Sequence, residues 1–122
     1  MAKYQVEFFQ TEDGSAPALD FIESLGVKMA AKTYRLLELL AENGQDLREP
    51  YSKFLVDGIF ELRVKFGSDD ARMLYFFIIE KRIIVTNGFV KKTQKTPRSE
   101  LAKAMGYRDE VLRREMKSYD KT

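Results

Sequence analysis

Between Ile59 and Phe66 the chain alternates, with Phe60, Leu62, Val64 and Phe66 on one side and Glu61, Arg63 and Lys65 on the other. A period of two predicts a strand with one face buried. Upstream the rhythm is helical. In "KMAAKTYRLLELLAENG", Ala30, Tyr34, Leu37 and Ala41 share a face that Leu36 and Leu40 widen, and Asn43-Gly44 supplies a stop. A shorter helix is expected in "ALDFIESL", opened by "GSAP" with Ser15 as cap and Pro17 in the first turn, and closed near Gly26. The two make a helical hairpin. "KYQVEFF" reads as an opening strand, and "QDLREPYSK" as a polar connection. Beyond the alternating strand, "GSDD" is a turn and "ARMLYFFII" is apolar on both faces after Arg72, as in a central strand. "EKR" is a tight turn and "RIIVTNGF" a further strand. These three form an antiparallel meander that the N-terminal strand joins. Thr96-Pro97 opens a last helix carrying Leu101, Ala104, Met105 and Leu112, interrupted at Gly106, with "RREMKSYDKT" as a fraying tail. The order β-α-α-β-β-β-α predicts one α+β domain over residues 1–122, a small twisted antiparallel sheet with its helices on one side.

Composition removes whole classes of chemistry. The chain has 122 residues, 44% of them apolar, enough for one real core. No apolar run approaches the roughly 18 residues of a membrane span. The first residues lack the apolar core of a secretory signal, so a cytoplasmic protein with no membrane partner is expected. Cysteine and histidine are both absent. That excludes a disulfide framework, zinc sites built on thiolate or imidazole, and triads built on either residue. Neither metal nor cofactor is expected, and proton transfer falls to Lys, Tyr, Asp, Glu or Arg.

The net charge of +2 says little, but its distribution is uneven. From Lys81 to Ser99 there are six basic residues (Lys81, Arg82, Lys91, Lys92, Lys95 and Arg98) and no acid, whereas "TEDGSAPALDFIES" has four acids and no base. Either a solvated charged surface or a polyanion partner accounts for this. The dense segment "GFVKKTQKTP" follows directly on the last strand. Lys53 stands just before the meander, Arg63 on its first strand, Arg72 at the start of its second, and Lys91 and Lys92 just after its third. If these ends converge, they form a cationic groove with Tyr51, Tyr75 and Phe89 nearby. Arginine holds phosphate with paired hydrogen bonds, and aromatic rings stack on exposed bases. Such a groove could cut RNA: Arg63 and Arg72 would meet the charge building on the phosphoryl oxygens, with a lysine of lowered pKa, or Glu61, moving protons. Each residue also has a structural explanation, Tyr75 and Phe89 as core aromatics above all.

At these residues the sequence resembles the RelE/ParE toxin superfamily, in its HigB-like, phage-derived branch. The resemblance runs through "ALDFIESL", "AKTYRLLELLAENG", "PYSKFLVDGIFELR", "ARMLYFF" and "GFVKKTQKTP". It implies a RelE-like fold and the toxin half of a type II toxin–antitoxin pair, acting as a metal-independent endoribonuclease on mRNA in the ribosome, with rRNA contacts. A cognate helix-turn-helix antitoxin is the implied partner. Carried over by position, Lys53, Arg63, Arg72 and Lys91 are the implied catalytic set, with Tyr51, Tyr75, Phe89, Lys92 and Lys95 binding RNA. Relatives often have histidine where this chain has Asn87, which cannot serve as a proton-transfer acid. Two other functions stay open: a DNA gyrase inhibitor like the ParE branch, and a catalytically degenerate RNA- or protein-binding module.

Overall fold

The computed structural model describes residues 2–120. Five strands form one sheet: β1 (Gln5–Phe8), β2 (Ser52–Val56), β3 (Ile59–Phe66), β4 (Asp69–Ile78) and β5 (Arg82–Val90), in the order β1-β5-β4-β3-β2. Three helices accompany them: α1 (Pro17–Ser24), α2 (Val27–Asn43) and α3 (Arg98–Asp120). The class is α+β, and the fold is consistent with a RelE-like one. β2 through β5 run antiparallel, while β1 joins β5 in parallel, with Gln5 opposite Arg82 and Phe8 opposite Val85.

One strand exceeds the expected order. Ser52–Val56, of which the sequence reading puts Ser52 and Lys53 in a polar connection and gives the rest no element, pairs with β3 through Ser52–Leu62, Lys53–Glu61 and Phe54–Phe60. The turn between them is Asp57-Gly58, both at positive φ (51° and 80°), the backbone that a two-residue hairpin with right-handed twist requires.

The helices lie on both faces rather than one. Along β4, Ala71, Met73, Tyr75 and Phe77 face α1 and α2, whereas Leu74 and Phe76 face α3. A central strand that is apolar throughout needs cover on both sides, and α3 supplies the second. The stripe on α2 is centred on Met29, Thr33, Leu36, Leu37 and Leu40; Tyr34, expected inside, is exposed. Ala16 rather than Ser15 precedes α1 as its cap residue, with Pro17 opening the helix; Ser15 N–H instead donates to Asp13. α3 passes Gly106 without a break and continues through the supposed tail. Gly106 is exposed, with open space around it, and a single helical glycine costs only about 1 kcal/mol relative to alanine. Ala104 and Val111 of α3 pack with Phe9, Leu74, Phe76, Ile84 and Phe89 on either side of that position.

A bulge in β5 decides what reaches the α3 face. Leu74 pairs with Asn87 but Tyr75 with Val85, so Thr86 is an extra residue. Its hydroxyl donates to the Leu74 carbonyl at 3.2 Å. The insertion reverses the alternation beyond it. Asn87 and Phe89 therefore turn toward α3, and Gly88 turns toward α1. A Cβ on Gly88 would lie 2.5 Å from the Phe21 ring and 2.6 Å from Met73 Sδ, so only glycine lets α1 sit this close.

Candidate RNA-binding cleft

On the α3 face, β3 contributes Glu61, Arg63 and Lys65, and β4 contributes Asp70, Arg72 and Leu74. The register sets Arg63 against Arg72, Lys65 against Asp70 and Glu61 against Leu74. Across the other edge of β3, Lys53 of β2 stands opposite Glu61. On β4's far side Arg72 is opposite Phe89, after which β5 ends and Lys91 N–H donates to the Asp70 carbonyl at 2.8 Å. α3 covers this face only beyond Leu74, which leaves the arginine end open.

Two adjoining concavities result. One, of about 520 Å³, is lined by Arg63, Lys65, Asp70, Arg72, Lys91 and Lys92, among others. The second, of about 410 Å³, includes Lys53, Glu61, Arg63, Lys91, Lys95 and Thr96. Arg63 and Lys91 border both. Together the walls hold seven Lys or Arg side chains against two carboxylates, so the cleft carries a large positive surplus.

Those two carboxylates organise the floor. Glu61 is 1% exposed; its Oε1 accepts from Arg72 Nη1 at 2.9 Å, and its Oε2 accepts from Thr96 Oγ1 at 2.6 Å. A carboxylate buried to this degree is tolerated only when paired and hydrogen-bonded. Both oxygens are committed, so the sequence reading of Glu61 as an alternative base gives way to that of a tie between the floor and the loop after β5. Asp70 takes the other edge of Arg72, accepting from Nε at 2.9 Å and Nη2 at 3.1 Å. Burial works against ionising Asp70, but the Arg72 fork outweighs it and holds the carboxyl below its usual range. Burial likewise opposes charge on Arg72, and its two carboxylates prevail, leaving its pKa above the usual value.

Arg63 is less constrained. It has ion-pair contacts of 3.7 Å to Glu61 and 3.8 Å to Glu49, and its buried Nε has no hydrogen-bond acceptor. Lys91 is depressed below the ordinary lysine value, first by burial and further by Arg72 and Arg63, with Glu61 and Asp70 opposing.

The expected catalytic set of Lys53, Arg63, Arg72 and Lys91 thus shares one face, and Lys92 and Lys95 join it. Three other expectations change. Tyr75 lies on the opposite face, 1% exposed, its hydroxyl bonded to Ser52 and its pKa pushed up to about 12 by burial. Its ring is packed against Phe60 and Phe77, away from any groove. Phe89 shares the cleft face but is 8% exposed and packs into the core beneath α3. Tyr51 is exposed and its carbonyl accepts from Arg63 N–H at 2.8 Å, yet its side chain lines neither concavity. The basic run also divides: Arg82 lies at the far end of β5, bonded to Glu7 and Glu115. Asn87 is 4% exposed and donates Nδ2–H to the Glu100 carbonyl and to its Oε1, both at 3.1 Å, while its Oδ1 has no partner.

Sequence reasoning missed Glu61 and Asp70 as organisers of Arg72, and Thr96 as the fastener of the basic loop. The strand alternation marked Glu61 as solvent-facing; only the register that sets Lys65 against Asp70, and Arg63 against Arg72, brings these groups together. Among the described residues, no group of three or more acidic side chains is arranged to hold a metal ion. No helix among them is long and apolar enough to cross a membrane.

No curated protein matches the chain. A protein-family model described as Phage derived protein Gp49-like (DUF891) matches residues 20–108, a span that begins in α1, ends within α3 and contains every residue of the cleft. The chain belongs to this phage-derived Gp49-like family, a RelE/HigB-like toxin family.

Proposed function

We propose that this protein is the toxin of a type II toxin–antitoxin system and that it cuts mRNA on the ribosome as a metal-independent endoribonuclease. The observation that carries the proposal is the convergence of Lys53, Arg63, Arg72 and Lys91 around a buried Glu61 on one open face. Membership of a toxin family implies an antitoxin partner, and the HigB-like resemblance implies a helix-turn-helix protein in that role.

The chemistry is transesterification. A base takes the ribose 2′-OH proton, the 2′-oxygen attacks the adjacent phosphorus, and the P–O5′ bond breaks as the 5′-oxygen gains a proton. A 2′,3′-cyclic phosphate and a 5′-OH end result. Charge building on the phosphoryl oxygens is met by the partly exposed guanidinium of Arg63 and by Lys91, which share the wall of the concavity. In the RNA-free protein both carboxylates are bonded to Arg72, and Glu61 is held a second time by Thr96, so the cleft presents no pair of free carboxylates to a divalent ion. Lys91, with its lowered pKa, and Lys53 are the groups available for proton transfer; Asn87, buried against Glu100, is not.

The test is incubation with programmed ribosomes, mapping new 5′ ends by primer extension. Codon-phased cuts that Arg63→Ala abolishes are the expected result. Absence of cuts by the wild type, or cuts undiminished in Arg63→Ala, rejects the proposal. Trapped cleaved DNA in a gyrase supercoiling assay, without RNA cuts, would put gyrase inhibition in its place. A second reading, an RNA-binding module that does not cut, is favoured by the full engagement of Arg72 with two carboxylates. It predicts binding to ribosomes without new 5′ ends and without growth arrest on expression.

A further inference from the structure

The Nε/Nη2 edge of an arginine is the edge that matches two oxygens of a phosphate or a carboxylate. In Arg72 that edge is filled by Asp70 Oδ1 and Oδ2, and Nη1 is on Glu61. Arg72 is only 4% exposed, so a phosphate reaches it only by displacing one of the two acids. Glu61 is the poor candidate, being 1% exposed and fastened a second time by Thr96. Asp70 is the good one. Its side chain is 25% exposed, it is the second residue of β4 beside the Gly67-Ser68 turn, and it stands in the wall of the 520 Å³ concavity. Lys65 Nζ lies 4.0 Å from its Oδ2 and offers a partner on the solvent side. The surroundings it would vacate are those of an anion seat, with Arg63, Lys91 and Lys92 around it.

We propose that Asp70 is an internal stand-in for the RNA phosphate: in the RNA-free protein its carboxylate occupies the Arg72 fork, and a phosphodiester of the bound RNA takes its place. This rests on the reading of the cleft as an RNA site. The exchange keeps Arg72 paired throughout, so its buried charge is never left uncompensated. It also makes Asp70 a brake on affinity, because every bound RNA must compete with a tethered carboxylate. No bond is made or broken; two anions trade places on one cation.

The experiment measures binding of a fully 2′-O-methylated RNA oligonucleotide, which cannot be cut, across a range of salt concentration. Asp70→Asn should bind roughly threefold to tenfold tighter than wild type, the net worth of about one hydrogen bond no longer competed for. Its log K against log[salt] should steepen by about 0.7, the slope of one extra phosphate on a single strand. Asp69→Asn removes the same charge one residue away on the other face and should change affinity by less than about twofold. In an Arg72→Gln background, Asp70→Asn should give no gain. A gain equal to that of Asp69→Asn, or one that persists without Arg72, overturns the exchange. If Asp70→Asn does not fold, as read by circular dichroism, Asp70→Ser takes the same comparison. Arg63→Ala separates the two levels: if it weakens binding while Asp70→Asn gives no gain, only the exchange fails. If it leaves binding unchanged, the RNA-site reading fails.

Discussion

Two arginines at opposite ends of the α3 face make the same kind of bond and do different things. Arg82 gives Nε and Nη2 to Glu7 at 2.7 and 3.0 Å and Nη1 to Glu115 at 2.9 Å. Arg72 gives Nε and Nη2 to Asp70 and Nη1 to Glu61, at nearly the same distances. Both are raised above the usual arginine value, Arg82 chiefly through its bonds to Glu7 and Glu115. Pairing therefore does not distinguish them. Their surroundings do. Around Arg82 the partners are two acids, with Arg114 nearby. Around Arg72 six further basic residues line the same concavity or the adjoining one, and only two acids answer them. Uncompensated charge beside an open surface, not a well-made ion pair, is what singles out the cleft as the proposed polyanion site.

The sharpest way to break that contrast is to remove one cation from each end. Arg63→Ala takes away the loosely held guanidinium of the proposed cleft, and cleavage on programmed ribosomes should fall by about 10²- to 10³-fold, as when one transition-state donor is lost. The protein should stay folded, since Arg63 makes only long ion-pair contacts. Arg82→Ala should leave the cleavage rate within about twofold, because it touches nothing in the cleft. Equal losses from the two variants would erase the distinction between the ends.

Glu61 tests the same contrast from the acidic side. Glu61→Ala strands the buried Arg72 Nη1 and unfastens Thr96, and should cost about 3 kcal/mol in urea unfolding. Glu61→Gln keeps an acceptor for Arg72 in the same shape and should recover a large part of that loss. A general base would not survive this change, whereas a group that holds Arg72 in place should. Cleavage by Glu61→Gln within about tenfold of wild type supports the positioning role. A loss as deep as that of Arg63→Ala would restore Glu61 as the base. At the other end, Arg82→Ala should cost about 1–2 kcal/mol, less because all three partners there are partly exposed.

The sequence carried one half of this cleft and concealed the other. Alternation in β3 put Glu61, Arg63 and Lys65 together correctly, because a half-buried strand shows its two faces in its own residues. That local pattern also labelled Glu61 exposed. Its burial is made by Arg72, eleven positions on, and Thr96, thirty-five on. Tyr75 and Phe89 were placed as a pair, yet they face opposite ways. Tyr75 was one position out of step with Arg72 along a strand apolar on both faces. Phe89 reaches the Arg72 side only through the extra residue at Thr86, and the one cue in "VTNGF", a glycine inside a strand, does not say whether or where a residue is extra. β2 was legible and overlooked: Asp57-Gly58 is a strong hairpin signal, but the flanking "SKFLV" is too short and too exposed to show a period. The run of basic residues after Lys81 looked like one feature, and the fold sends Arg82 and Lys91 to opposite ends of a strand.

The smallest expected effect concerns Lys91 and pH, and it asks whether the surplus of charge is felt inside the cleft. Burial lowers the Lys91 pKa from its ordinary 10.5, and Arg72 and Arg63 lower it further against Glu61 and Asp70. A lysine held below its unfolded value binds its proton less well when folded. Folding is therefore opposed by that proton at neutral pH, and stability is regained as pH rises through the folded value toward 10.5. Lys91 is partly exposed, so the gain should be only about a few tenths of a kcal/mol, and Lys91→Met should remove it. Titration of isotope-labelled lysines by NMR measures the shift itself. Arg63→Ala should bring the Lys91 resonance back up toward the ordinary value, whereas Arg82→Ala should leave it where it was. A Lys91 that titrates as an ordinary lysine, or responds alike to both changes, would mean that the cleft's positive surplus is screened away. The contrast between the two ends would then rest on geometry alone.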